Sequence, residues 1–122
     1  MKKVLILDDE QDILELWITQ FKRLEVVAEI HTAANGQDAL KLINTVGQYD
    51  LIITDYKMPV MNGLEFIKKV RSESESSKTP IFFFTGYLPE LKEHTAELEN
   101  VLLFEKPVIS EKIKTHIRMC LC

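Results

Sequence analysis

The chain has 122 residues, of which 46% are hydrophobic and 28% are charged, and its formal net charge at pH 7 is -4. These values are typical of one globular domain that can bury a core of its own. The negative charge and the absence of a basic run argue against direct DNA binding. No apolar stretch is long enough to cross a membrane or to serve as the core of a signal peptide. We therefore expect a cytoplasmic protein that does not bind membranes.

Five short apolar runs predict five β-strands. Four of them are continuous, which is typical of strands buried on both faces of a parallel sheet. The second run alternates, with Val26, Ala28 and Ile30 on one side. The predicted strands cover residues 4–7, 26–31, 51–54, 81–84 and 101–104.

Between these runs, apolar residues recur at intervals of three and four, which predicts helices. The fourth predicted helix is weak, because its polar residues outnumber its apolar ones. Ser110 is expected to cap the last helix, whose apolar face contains Ile113, Ile117, Cys120 and Leu121. The five predicted helices cover about 11–25, the residues from Asn35 or Gly36 to Gly47, the residues after Asn62-Gly63, 88–98, and the residues after Ser110.

The two cysteines, Cys120 and Cys122, both lie at the C-terminal end with one residue between them. This spacing is poor for a disulfide or a zinc site. We therefore interpret them as a helix residue and a residue of the chain end, rather than as half of a metal or redox site.

Strands that alternate with helices predict a parallel sheet covered by helices on both faces. Right-handed crossovers then bring the carboxyl ends of all five strands to one edge of the sheet. Asp8 and Asp9 follow the first strand, Asp55 the third, Thr85 the fourth, and Lys106 comes shortly after the fifth. Acids, a hydroxyl and an amine are therefore expected to meet at one edge.

Carboxylates held together repel one another, and a hard cation such as Mg²⁺ relieves that repulsion. One of these carboxylates can act as a nucleophile toward phosphorus. A metal ion, an ammonium group and a hydroxyl group each stabilise charge on a phosphoryl group in transfer. The predicted cluster therefore favours Mg²⁺-dependent phosphoryl chemistry.

Over essentially its whole length, residues 1–122, the sequence resembles the receiver domain of two-component response regulators, of the single-domain chemotaxis kind. The resemblance implies an α/β, flavodoxin-like doubly wound (βα)5 fold with strand order 2-1-3-4-5. The residues that carry it are Asp8-Asp9-Glu10, the run Thr54-Asp55-Tyr56-Lys57-Met58-Pro59, Asn62-Gly63, Thr85-Gly86 and Lys106-Pro107.

The resemblance implies a role for each acidic residue of the cluster. Asp55 matches the phosphoacceptor. Asp8, Asp9, Asp55 and the backbone carbonyl of Lys57 match the ligands of a Mg²⁺ ion, with Mn²⁺ as an alternative. Asp9 would bind the ion directly, and Asp8 mainly through water.

The other motif residues match positions that act on the phosphoryl group. Thr85 would donate a hydrogen bond to it and Lys106 would pair with it. The Lys106-Pro107 peptide bond would be cis, which costs little before proline. Lys57 and Tyr87 match the positions that tune the lifetime of the phosphoryl group.

Two positions depart from the family pattern. Leu103 stands where an aromatic switch residue is usual. Phe104 comes one place later, so its side chain should point to the other face of the strand. Val108 stands where phenylalanine is common in the family, and we interpret this departure as minor.

The resemblance implies a signalling phosphoacceptor that catalyses only its own phosphorylation and autodephosphorylation. Its expected partners are a histidine kinase or histidine phosphotransfer protein and a downstream protein target, and the expected state is a monomer or weak dimer. His31, His94 and His116 are predicted to be surface residues, so the phosphohistidine is expected on the partner. The chain ends soon after the last helix, which predicts a stand-alone receiver or a truncated one.

Three other functions compete with this one. A phosphatase of the haloacid dehalogenase kind needs a second acid two residues after its nucleophile, where Lys57 stands. A nucleotide or flavin carrier needs a glycine-rich or hydroxyl-rich loop after the first strand, where the acids stand. A receiver-like interaction module that is never phosphorylated is the serious alternative, because Leu103 weakens the usual switch.

Overall fold

The computed structural model describes residues 1–57, 61–73, 78–86, 100–106 and 111–121. The weak helix predicted over residues 88–98 and the predicted cap Ser110 lie outside these ranges. The strands are β1 (Lys2–Leu7), β2 (Ala28–Ala33), β3 (Leu51–Asp55), β4 (Ile81–Thr85) and β5 (Val101–Glu105), and the helices of the described ranges are α1 (Gln11–Arg23), α2 (Gly36–Val46), α3 (Gly63–Glu73) and α4 (Glu111–Leu121).

The five strands form one sheet in the order β2-β1-β3-β4-β5, and every neighbouring pair is parallel. This confirms the predicted doubly wound fold. The register pairs Leu7 with Thr54, Asp55 with Phe84, and Thr85 with Glu105. The carboxyl ends of β1, β3, β4 and β5 therefore lie side by side at one edge of the sheet.

Each face of the sheet carries its own apolar core. On one face, α1 and α4 pack against the sheet through Trp17, Phe21, Ile113 and Ile117. On the other face, α2 and α3 pack through residues such as Ile43 and Phe66. Every residue of β3 and β4 is buried, which explains why these strands read as continuous apolar runs.

The predicted bounds are wrong between α1 and β2. The helix ends at Arg23 rather than near Glu25, and β2 covers Ala28–Ala33 rather than residues 26–31. Glu25 adopts a left-handed conformation with φ 57, directly after the cap residue Leu24. A left-handed residue breaks the helix, and the chain needs two further residues before it can pair with β1.

Asparagine side chains cap two helices at their start. Asn35 Oδ1 accepts a hydrogen bond of 2.8 Å from the backbone N–H of Asp38, and Asn62 Oδ1 accepts one of 2.9 Å from Glu65. Gly47 ends α2 with φ 97, a conformation that favours glycine. The predicted start and end of α2 are therefore confirmed.

The two histidines that the structure describes, His31 and His116, are partly exposed, and each contacts an aromatic ring. His31 Nδ1 lies 2.7 Å from the hydroxyl oxygen of the buried Tyr49. The His116 ring lies 5.4 Å from the Phe104 ring, centroid to centroid. His94 lies outside the described residues.

None of the helices in the described part of the chain combines the length and the apolar character that crossing a membrane requires.

Candidate functional site

The turn after β1 holds the first acid of the predicted cluster. The Asp8 backbone N–H donates a 3.1 Å hydrogen bond to the Ala33 carbonyl, and Asp8 Oδ1 accepts a 2.9 Å hydrogen bond from the Glu10 N–H. This side-chain-to-backbone bond is the kind that turns a chain out of a strand. It leaves Asp8 only 4% exposed, whereas Asp9 beside it is exposed.

Asp55 is the last residue of β3 and is 7% exposed. Its Oδ1 atom lies 3.1 Å from Lys106 Nζ, which makes a salt bridge across the edge of the sheet. The Lys106 backbone N–H donates a 3.0 Å hydrogen bond to the Thr85 carbonyl, so the ends of β4 and β5 are joined at the same place. The structure thus brings Asp55 and Lys106 together as predicted.

Asp8, Asp9 and Asp55 each offer a carboxylate oxygen, and these three oxygens lie within 4.8 Å of one another. Oxygen donors of this kind suit Mg²⁺, which is usually held by a few carboxylates together with water. The donor set and its spacing therefore fit the predicted ion.

The electrostatics of the site also show the effect of burial. Burial raises the pKa of Asp8 from 3.8 to about 6; the charges of Asp55 and Asp9 add to the rise, while the Glu10 N–H and the Lys106 charge oppose it. Burial acts to lower the pKa of Lys106, but its hydrogen bond to Asp55 and the nearby acids outweigh this and raise it above 10.5. An ion bound between the acids would relieve the cost of ionising Asp8.

Thr85 ends β4 and is 4% exposed, so it reaches the predicted edge of the sheet. Lys57 is exposed, two residues beyond Asp55. Tyr87 and Pro107 lie outside the described residues, and so does the predicted cis peptide bond. The lifetime-tuning roles of Lys57 and Tyr87 stay predictions.

Leu103 and Phe104 lie on opposite faces of β5, as predicted. Leu103 is partly buried against the core beneath α2 and α3, and Phe104 belongs to the core beneath α1 and α4. The Phe104 ring stacks on that of Phe84 with centroids 5.2 Å apart and planes at 22°. β5 therefore carries an aromatic side chain on the face opposite to the usual switch position.

The sequence assigned Gly63 no role of its own beyond the Asn62-Gly63 motif, but in the structure it packs against the backbone of Asp55. A Cβ atom built on Gly63 would lie 2.2 Å from the Asp55 carbonyl oxygen. Besides that motif, the sequence holds one hint: a glycine stands at the start of a predicted helix, where a residue of higher helix propensity would be more stable.

A parallel sheet of this order, with three acids and a lysine at its carboxyl edge, is the arrangement expected of a receiver domain. The sequence pattern of the response regulator receiver domain matches residues 4–118. The chain belongs to this family, whose members act in two-component signalling as phosphoacceptors rather than as ordinary enzymes.

Among its relatives, the chain is similar to chemotaxis receivers along nearly their whole length. It is 29% identical to the chemotaxis protein CheY1 of Helicobacter pylori over 117 residues, which cover 92% of this chain and 94% of that protein. It is 30% identical to the CheY homolog of Campylobacter jejuni, with coverages of 92% and 89%.

Two solved structures show the same likeness. The CheY4 protein of Vibrio cholerae superposes with a TM-score of 0.85 at 33% identity, covering 99% of each chain. The response regulator TrrA of Thermotoga maritima, solved in complex with Mg²⁺ and BeF, gives a TM-score of 0.82 at 30% identity, covering 99% of this chain and 100% of the other. The chain is therefore a chemotaxis-receiver-like member of the family.

Proposed function

We propose that this protein is a Mg²⁺-dependent phosphoryl acceptor of a phosphorelay, phosphorylated on Asp55. The observation that carries the proposal is the position of Asp55 at the end of a buried strand, with the Lys106 ammonium group 3.1 Å from its carboxylate. Asp8 and Asp9 each place a carboxylate oxygen within 4.8 Å of one of Asp55. These acids would hold the metal ion that phosphoryl transfer uses.

In the proposed reaction, an Asp55 carboxylate oxygen attacks the phosphorus atom of a phosphohistidine on the partner. The O–P bond forms as the N–P bond breaks, and the imidazole nitrogen keeps the electron pair of that bond. With acetyl phosphate as donor, acetate is the leaving group. Lys106 would stabilise the negative charge on the phosphoryl oxygens, and the Thr85 hydroxyl would donate a hydrogen bond to one of them.

Asp8, Asp9, Asp55 and the Lys57 carbonyl are the proposed ligands of Mg²⁺, or of Mn²⁺ in its place. The ion, when bound, supplies positive charge to the phosphoryl oxygens. The acids of this chain hold that charge at the carboxyl edge of the sheet, where Asp55 reacts.

We assign residues 1–122 to one receiver domain that acts as a monomer or weak dimer. Its proposed partners are a histidine kinase or a histidine phosphotransfer protein, and a downstream protein whose binding changes on phosphorylation. The absence of direct DNA binding and a cytoplasmic location stay predictions.

Phosphorylation would switch the protein through the end of β4 rather than through Leu103. Leucine is smaller than the usual aromatic residue and has no hydrogen-bonding group, so it gains less by turning inward. We expect the change to run through residues 85–98 with little rotamer change at Leu103; most of that segment lies outside the described residues. A cis Lys106-Pro107 bond would help to place the Lys106 ammonium group.

Intact-mass measurement after incubation with acetyl phosphate and Mg²⁺ tests this function. We expect the mass to rise by one phosphoryl group, and we expect no rise in Asp55→Asn or when a chelator removes the ion. Asp50→Asn is the matched control, because Asp50 accepts a hydrogen bond from the Lys3 N–H at the other end of the strands. It should be phosphorylated like the wild type.

The alternative, favoured by Leu103, is a receiver-like interaction module that is never phosphorylated. It predicts no mass increase in the wild type with any phosphodonor. That result would refute the phosphoacceptor function and leave the fold and family untouched.

A further inference from the structure

We propose that Gly63 is a positioning residue for the phosphoacceptor, an inference that rests on the proposed function of Asp55. Because Gly63 has no side chain, the first turn of α3 can press against the backbone carbonyl of Asp55. This contact would hold the Asp55 carboxylate at the place where it faces Lys106 and the other two acids.

The contact leaves no room for a side chain at position 63. A Cβ atom there would lie 2.2 Å from the Asp55 carbonyl oxygen and 2.8 Å from Cε1 of Phe83. Among the described glycines, Gly47 is the one with a positive φ, so backbone conformation does not require glycine at 63. The close approach to Asp55 is therefore what requires it.

Hydrogen bonds and core packing fix the position of the start of α3. The Gly63 N–H donates a 2.8 Å hydrogen bond to the Tyr56 carbonyl, and the Asn62 side chain caps the first turn. Further along the helix, Phe66 and Ile67 are fully buried in the core. Moving the helix outward would break this packing, so a side chain at 63 would push on Asp55 instead.

The size of the required shift is large on the scale of catalytic geometry. Cβ atoms in proteins do not approach another atom more closely than 3.0 Å, so the two atoms would have to separate by at least about 0.8 Å. The carbonyl that is pushed belongs to the same residue as the carboxylate, which pairs with Lys106 at 3.1 Å. A misplacement of this size costs about 10-fold to 100-fold in rate when it reaches the reacting group.

The first test is the rate of phosphorylation of Gly63→Ala by acetyl phosphate, followed by intact mass at a temperature where circular dichroism shows every variant folded. We expect a rate about 10-fold to 100-fold below that of the wild type. Gly36→Ala is a packing control against the same helix, because its Cβ atom would lie 3.0 Å from Sδ of Met61 and 3.1 Å from Cβ of Phe66 in α3, and none of its three nearest atoms belongs to Asp55. This control should stay within about twofold of the wild type.

A double variant separates the two contacts that a Cβ atom would make. Phe83→Leu opens space on the side of the ring and leaves the Asp55 carbonyl where it is. If Gly63→Ala with Phe83→Leu is as slow as Gly63→Ala alone, the contact with Asp55 is responsible. Recovery to the rate of Phe83→Leu alone would assign the loss to the ring and overturn the proposal.

A pair of cap variants tests the proposal even if Gly63→Ala does not fold. Asn62 and Asn35 cap α3 and α2 by the same hydrogen bond, at 2.9 Å and 2.8 Å. Their replacement by alanine loosens the two first turns alike. Asn62→Ala should be phosphorylated several-fold more slowly than Asn35→Ala, because α3, unlike α2, begins with the glycine that packs on Asp55. Equal rates would overturn the proposal.

The wild type distinguishes this inference from the proposed function. If the wild type gains no phosphoryl group, the function itself has failed. If the wild type is phosphorylated and Gly63→Ala is phosphorylated at the same rate as Gly36→Ala, the function stands and the role of Gly63 is refuted.

Discussion

Replacing Asp8 by asparagine should make the protein more stable at neutral pH when no divalent ion is present. Burial at the end of β1 raises the pKa of this carboxyl from 3.8 to about 6, so its ionised form is costly in the folded protein. Asparagine keeps an Oδ1 atom that can accept the 2.9 Å hydrogen bond from the Glu10 N–H. The substitution therefore removes the charge and preserves the turn.

The size of the effect follows from the shift in pKa. Because the folded state binds this proton more tightly than the unfolded state, the free energy of unfolding falls as the pH rises from about 3.8 to about 6. At 1.36 kcal/mol per pKa unit, the loss reaches about 3 kcal/mol at about pH 7.5 and only about 1 kcal/mol at about pH 4.5. Asp8→Asn should recover these amounts.

Urea unfolding followed by circular dichroism, at both pH values and with a chelator present, measures the effect. Asp12→Asn is the matched control, since it removes an equal charge from an exposed acid in the first turn of α1. It should lower the stability slightly, because a negative charge is favoured at the start of a helix. Millimolar Mg²⁺ should stabilise the wild type and have little effect on Asp8→Asn.

Two results would refute this reasoning. One is a gain in stability for Asp8→Asn that is the same at both pH values, which would mean that ionisation is not its source. The other is a loss of stability at pH 7.5, which would mean that the buried carboxylate is already compensated in the protein without metal.

Three further predictions concern the site and its surroundings. Lys106→Ala should lower the rate of phosphorylation by acetyl phosphate about 100-fold. It should also lower the stability in urea unfolding, because it leaves the Asp55 carboxylate, whose side chain is 8% exposed, without its ammonium partner at 3.1 Å; a stability loss without a rate loss would contradict its catalytic role. Calorimetry should show that Mg²⁺ affinity is lost in the double variant Asp9→Ala, Asp55→Asn, and unchanged affinity would exclude the proposed ion site. Amide-shift maps with and without beryllofluoride should show large changes over residues 85–98 and small ones at Leu103; the reverse pattern would contradict the proposed route of the switch.

Much of this protein could be predicted from its sequence because the relevant signals are local. Continuous apolar runs such as residues 51–54 and 81–84 indicate strands buried on both faces, and helical spacing between them implies parallel pairing. The single handedness of parallel crossovers then places Asp55, Thr85 and Lys106 at one edge without any knowledge of distances. Successive side chains of a strand point to opposite faces, and this alone predicted that Leu103 and Phe104 lie on opposite faces of β5.

The tertiary structure decided the features that depend on contacts between distant segments. The start of β2 depends on a left-handed Glu25, and the half-burial of His31 depends on Tyr49, which comes from another segment of the chain. The pKa of Asp8 is set by how deeply the assembled sheet edge buries it, which a one-dimensional pattern does not contain. The need for glycine at position 63 arises because the first turn of α3 packs on the carbonyl of a residue eight positions earlier. Periodicity reports which face a residue occupies, whereas these properties depend on ångström-scale distances that exist only once the sheet and helices have packed.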